Sequence, residues 1–381
     1  MKLDLKQKFI RWGIPLVLLA LFVAFTIGIN RVEKVPIVVR EGQTFEKGVV
    51  TQILQDNLMD DGSRSGEQRV VIHMRTGVRA GQDLETTSAS GFLFGAGCEV
   101  GMKVIVMQSV AGDTTITSVY AQDRGGVIGV FALLYLAVLI LVGGKQGLKG
   151  ALGLVFTFLC ILFVYLPLVY RGMSPFWVAV FVCVITTLVT MYLIGGPTKK
   201  TLVATGGTVA GVVIAGIAAT AFSAATGVTG WNVSDIENLL TLQSVNDVQV
   251  GGLLFSGLLI SALGATMDVA MSIGSAMKEL VEHDPGMTRR ELFKAGMHVG
   301  RDMMGTDSNT LILAFAGGSV SMLLLDYAYD LPFLQIINSN NIGIAIMQGL
   351  SGSFGIVLSV PVTVILATFL YLRKKKPALE R

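Results

Sequence analysis

PFWVAVFVCVITTLVTMYLIGGPTKK, Pro175 to Lys200, is the stretch from which the class of this chain is read. Pro175–Ile194 carries no charge, and at about 1.5 Å per residue a helix of that length crosses the ~30 Å of bilayer hydrocarbon. It leaves through two glycines and a proline onto Lys199 and Lys200. The same pattern recurs along the chain, at Gly13–Ile29, Gly125–Val142, Ala151–Tyr170, Leu202–Phe222, Val250–Ala270, Thr310–Leu325 and Asn341–Leu372. The 381 residues are 52% hydrophobic and only 14% charged, with a mean hydropathy of +0.68. A soluble domain of this length buries far less apolar surface. The chain reads as an α-helical polytopic membrane protein of about eight transmembrane helices.

Basic residues orient the spans. Lys2, Lys6, Lys8 and Arg11 precede the first, Lys145 and Lys149 share one short loop, and Lys199 and Lys200 another. Lys278, Arg289, Arg290, Lys294 and Arg301 fall in a third, and Arg373 to Lys376 follow the last span. The short loops of the opposite side hold Arg171 alone. By the positive-inside rule both termini are cytoplasmic. The first span has the basic start of a signal peptide but no A-x-A-like cleavage signal, so an uncleaved signal anchor is expected. The net charge of +3 comes mostly from the basic loops and implies no nucleic-acid partner. Cys98, Cys160 and Cys183 form no motif, which leaves neither a disulfide framework nor a cofactor to predict.

These signals divide the chain into a signal-anchor helix (1–29), an exported β-rich domain (30–124), a four-helix membrane block (125–222), an external loop (223–249) and a C-terminal membrane block (250–376). Within the last, 271–305 reads as a cytoplasmic amphipathic segment. The exported region alternates β-branched residues in FEKGVVTQIL, QRVVIHMR, DLETTSAS, GMKVIVMQSV and TTITSVYAQ, separated by turn signals. That pattern predicts a small five-stranded, OB-like barrel. Phe92 and Phe94 are isolated, so no aromatic stacking platform is evident and a structural or protein-contact role competes with ligand binding. In the four-helix block, Gly207, Gly211, Ala215 and Ala219 recur every four residues, as in tightly packed membrane helices, with a pore lining as the alternative. In the external loop, SDIENLL pairs Ser234 with Glu237 as a capping box, predicting a short interfacial helix anchored by Trp231.

Chemistry concentrates in the C-terminal block. Asp268 sits within or just below an apolar span, where a carboxylate costs ~2.5–3.5 kcal/mol on insertion scales and faces a partner or a wet cavity. The alternative places it in headgroup water. Asp268, Met271, Ser272, Ser275, Glu279 and Glu282 share one helical face. GRDMMGTDSNTLILAFAGGS, Gly300 to Ser319, supplies Arg301 and Asp302 as candidate partners for Asp268. Its Asp307 reads either as a further partner or as the cap of the next helix. Asn309 and Thr310 lie a turn deeper and could bond across helices. His298 is a candidate proton relay; with Met297, Met303 and Met304 it lacks any metal-ligand spacing, so no metal is expected. The last span is 32 residues, ~48 Å as a helix, against ~30 Å of hydrocarbon. Gly349, Gly352, Gly355 and Pro361 mark it either as a broken, site-lining helix or as one long tilted helix.

GATMDVAMSIGSAMKEL, GRDMMGTDSNTLILAFAGGS and GLSGSFGIVLSVPVT, in this order, resemble the YibE/F family of bacterial membrane proteins over roughly Gly125 to Leu372. The resemblance implies a multi-pass protein of the bacterial cytoplasmic membrane and brings no substrate or reaction. It also implies an acidic and a basic residue just before the last span, where NSNNIGIAIMQGL is uncharged. A second likeness, of layout and of Asp268 alone, is to RND-type transporters and protein-export accessory permeases.

Together the residues predict a secondary-transporter-like permease, proton coupling being one option, with Asp268, Arg301, Asp302, Asp307, Asn309, His298 and Glu279 on its path. The competing class is a non-transporting scaffold that presents the exported domain to an envelope partner. The expected partners are the lipid bilayer and a second copy or a related membrane subunit. No H-E-x-x-H, no G-x-S-x-G and no paired transmembrane aspartates are evident, so no enzyme is expected.

Overall fold

A computed structural model describes residues 14–31, 42–60, 62–89, 95–111, 114–233 and 236–372. The expectations for Lys2, Lys6, Lys8, Arg11, Phe92, Phe94, Ser234, Asp235 and Arg373 to Lys376 lie outside the described residues. The chain forms two compact units, one of Met1–Val35 with Leu139–Arg381 and one of Pro36–Val138.

The smaller unit is a closed barrel of five strands in the order β1-β2-β3-β5-β4. They are β1 (Gln43–Gln55), β2 (Gln68–Met74), β3 (Asp83–Ser88), β4 (Lys103–Ala111) and β5 (Thr114–Gln122). All neighbours pair antiparallel except β3 and β5, which run parallel through Thr87–Ser118 and Ser88–Val119. Alternate residues point inward, so Val50, Val70, Ile72, Met74, Val104, Val106 and Val119 make the core. A polar network ties the β1–β2 loop to the barrel. Arg64 Nη1 donates to Asp56 Oδ1 at 2.6 Å and Asn57 Oδ1 at 2.8 Å. The buried Gln68 donates to Asp56 Oδ1 at 2.7 Å and accepts from the Cys98 N–H at 2.7 Å. The Gln68 amide and the Arg64 guanidinium hold the Asp56 carboxyl below its ordinary value, while burial pushes the Cys98 thiol up.

The larger unit is helical. Its elements are α1 (Ile14–Asn30), α2 (Gly125–Cys160, from Leu139 onward), a π turn (Ile161–Tyr165) and α3 (Leu166–Tyr170). There follow α4 (Pro175–Gly195), α5 (Lys199–Thr226), α6 (Ile236–Val245), α7 (Leu253–His283), α8 (Arg289–Gly318), α9 (Val320–Ala328), α10 (Phe333–Ile337) and α11 (Asn340–Tyr371). Among the described residues five helices are long and apolar enough to cross a membrane, and six if α8 and α9, bent by 57°, form one span. The eight spans expected counted Gly125–Tyr170 as two and included α1, whose described part has 17 residues.

Two local departures from the sequence reading have physical causes, and one open alternative is decided. At Gly144 the chain takes φ 53° and ψ −131°, a conformation open to glycine. A Cβ on Gly147 would collide with the Leu139 carbonyl, although eight residues of straight helix separate such groups by about 12 Å. The chain therefore folds back sharply between Leu139 and Gly147. The seventh expected span begins 21 residues early, because Thr288 and Glu291 form a capping box that starts α8 at Arg289. It bends after Gly317 and Gly318, short of the expected Leu325. α11 is one long helix, unbroken through Gly349, Gly352, Gly355 and Pro361.

The glycines of α11 serve packing. A Cβ on Gly355 would lie 2.6 Å from the Gly211 carbonyl oxygen and 2.9 Å from Ala215 Cβ. Gly211 in turn faces Ser359 and Thr266, and Gly207 faces Thr363 and Ala270. The small-residue stripe of α5 thus lets α5, α7 and α11 meet backbone to backbone. The buried hydroxyls there donate within their own helices, Thr266 to the Ala262 carbonyl and Thr363 to the Ser359 carbonyl.

α1 is tied to the rest of its unit. Phe22 stacks on Phe156 with centroids 5.1 Å apart. Asn30 Nδ2 donates to the Phe163 carbonyl in the π turn at 2.8 Å, where the i→i+5 pattern leaves main-chain acceptors free. Arg171 donates to the carbonyls of Ile29 at 2.7 Å and Gly28 at 3.1 Å. A cation at the carboxyl end of a helix satisfies orphan carbonyls and the helix dipole together. Arg171, read from the sequence as a lone external charge, is this cap.

Candidate functional site

α7 and α8 run antiparallel, and their contact carries the ionisable residues of the apolar helices. Gly300 of α8 packs on Ile273 of α7 and collides, for any added Cβ, with Val360 of α11. Gly296 sits against Met277 and Val364, so the close crossing extends towards the α7–α8 turn. Asp268 lies five residues above Ile273 on α7, and Asp307 seven residues above Gly300 on α8. At about 1.5 Å per residue both fall in one layer, roughly 8–10 Å beyond that contact. The charge that acts on Asp268 is Asp307.

The structure thus distributes the predicted site residues unevenly. Asp268 is exposed on α7, and Asp307 is half-buried on α8. Asp307 is not a helix cap, since α8 begins eighteen residues earlier at Arg289. Arg301 and Asp302 are exposed and form no ion pair among the described residues. The helical twist explains this: Arg301 lies about 120° and Asp302 about 140° round α8 from Asp307. His298 and Asn309 are likewise exposed, on the outward side of α8. Glu279 lines a cleft with Ala276, Leu280, Glu282, His283 and Val299 at the end of the groove nearest the α7–α8 turn. Glu282 there pairs with Lys278 at 3.3 Å. Eleven residues separate Glu279 from Asp268, three helical turns and about 16 Å along one face, with Ser272 and Ser275 between. The groove therefore offers carboxylates and hydroxyls from its mouth to its deep end. Among the described residues no three His, Cys, Asp or Glu side chains group as a metal site.

Some functional candidates were not visible in the sequence. Asp307 is not among them: the sequence offers it as a partner of Asp268 or as a cap, and the start of α8 at Arg289 removes the second reading. Ser353 donates to the Ser308 carbonyl at 3.4 Å, placing α11 hydroxyls beside the pair. Tyr165, in the π turn, shares a buried hydrogen bond with Ser256 of α7. On the barrel, Phe45 and Tyr120 form an exposed edge-to-face pair with centroids 5.1 Å apart. A register shift of β5 beside Tyr120 aims that ring outward.

No curated protein and no solved structure matches the chain. A family model described as YibE/F-like protein matches residues 131–373, which takes in every apolar helix from α2 to α11 and both acids of the groove. The long apolar helices make this a membrane protein, and the chain belongs to the YibE/F-like family.

Proposed function

We propose that this protein is a secondary-transporter-like permease of the bacterial cytoplasmic membrane, with both termini in the cytoplasm and residues 30–124 outside. Its coupling or substrate-binding element is the acid pair Asp268–Asp307. The observation that carries the reading is that Asp268 on α7 and Asp307 on α8 fall in one layer of the apolar helices, just beyond the close crossing at Gly300 and Ile273. Like charges in an apolar setting repel, and uptake of a proton or a cation between them relieves the repulsion. A groove with an acid-lined mouth at Glu279 supports access from one side. Ligand-dependent shifts in how tightly α7 and α8 meet would then gate the pair.

The test uses purified protein in vesicles loaded with a pH-sensitive dye and energised by a potassium diffusion potential. Wild type should acidify or alkalise the lumen at a rate that Asp268→Asn and Asp307→Asn each lower at least tenfold. Flux equal to wild type in both variants would remove the pair from the path. A scaffold role is the second reading, supported by the barrel forming a compact unit of its own. It requires that a chain carrying both Asn substitutions, yet lacking flux, still complements a deletion strain.

A further inference from the structure

The face of α8 turned away from the groove carries a separate signal. His298, Asp302, Gly305 and Asn309 are all exposed, at intervals of four, three and four residues. That alternation is the spacing of a helix–helix seam, and it lies about 180° from Asp307. The seam is polar in its middle. Asn309 makes no hydrogen bond among the described residues, and nothing lies within 4 Å of a Cβ built on Gly305. By contrast, the outward face of α11 presents Leu350, Phe354, Leu358, Ile365 and Phe369, which suit lipid. Asn309, about two turns deeper than Asp302, would otherwise turn its amide towards hydrocarbon, which cannot satisfy it, so this face of α8 calls for protein at that level.

We infer that a second copy of this chain covers it, through a parallel α8–α8 contact on a two-fold axis along the membrane normal. The argument for a like copy is charge complementarity. Arg301 and Asp302 are exposed, unpaired within the described chain, and flank the seam on opposite sides, about 100° apart. A two-fold brings the left flank of one helix against the right flank of the other at equal height. Each Arg301 then meets the partner copy's Asp302, giving two ion pairs for one contact. Gly305 permits close approach of the backbones, and Asn309 is self-complementary, with one amide donating to the other across the axis. The seam and the groove occupy opposite faces of α8, so the inference stands independently of any transport activity.

The test is made on the full-length chain in native membranes, with Cys98, Cys160 and Cys183 each replaced by Ala. Oxidation should link Asn309→Cys into a species of twice the chain mass, and should not link Leu350→Cys on α11. In the chain purified in detergent, single changes Arg301→Asp and Asp302→Arg should each weaken dimerisation about tenfold by light scattering, and the double change should restore it. Unchanged thermal melting of these exposed-site variants separates lost association from lost folding. Linkage at Leu350→Cys but not at Asn309→Cys, a product with another protein's mass, or no rescue in the double swap would overturn the inference.

Discussion

A single residue, Asp307, changes meaning between sequence and structure. In the sequence it precedes an apolar run and satisfies every rule for an N-cap. In the structure it is the carboxylate facing Asp268 in the middle of α8. The cap had to be assigned from where the helix starts, and that start depends on whether Thr288–Glu291 or Thr306–Ser308 nucleates it. Both offer an N-cap side chain, but only Thr288 has a glutamate three residues on, and that capping box, which closes both hydrogen bonds, prevails. Asp268, by contrast, was legible, because a charge within an apolar run needs no partner to be noticed. Asp56 carries a prediction of its own. Its folded-state value lies below the usual 3.8, so its contribution to barrel stability is present above about pH 4 and is lost as pH falls through the folded value. Hydrogen-exchange protection of the β2 amides should therefore drop on acidification more in wild type than in Asp56→Asn. At neutral pH the variant should start less protected than wild type.

At the scale of elements, the glycines of the last helix illustrate what a lone sequence leaves ambiguous. Gly349, Gly352 and Gly355 fit a broken helix and a packed helix equally well, because glycine serves both. The partner decides, and here it is the Gly211 carbonyl on α5, over a hundred residues away. Replacing Gly355 by Ala forces a methyl to within 2.6 Å of that oxygen and 2.9 Å of Ala215. The variant should lose about 1–3 kcal/mol of stability, the range for overpacking, seen as a lower melting temperature in detergent. Gly349→Ala is the control: its Cβ would meet nothing closer than 3.7 Å, and its melting temperature should match wild type. Gly144 tests the other use of glycine. At φ 53° and ψ −131° an alanine is strained, so Gly144→Ala should cost about 1–2 kcal/mol and slow the fold-back between the halves of α2. The expected loop holding Lys145 and Lys149 had the right residues and the wrong form, since a two-glycine turn needs no loop.

For the whole molecule, the strand pattern of residues 30–124 and the apolar runs were each readable, because period-two alternation and uncharged length are local properties. The membrane orientation rests on loop charges, and it makes a direct prediction. Val78 is fully exposed on the barrel, so Val78→Cys should react with a membrane-impermeant maleimide in intact spheroplasts. Gly286→Cys, in the α7–α8 turn, should react only after permeabilisation. The reverse pattern would invert the proposed topology. The clamp on α1 has a consequence for synthesis. Asn30 waits for a carbonyl 133 residues downstream, and the Ile29 carbonyl for a guanidinium 142 residues downstream. At roughly 5–20 residues per second, about 7–28 s of translation pass before Arg171 exists to receive it. During that interval the barrel is already leaving the ribosome, and α1 sits in the bilayer with open carbonyls. A ribosome paused before Arg171 should hold a chain whose first helix is still free to slide, so the depth of the anchor is set late, by a residue the anchor does not contain.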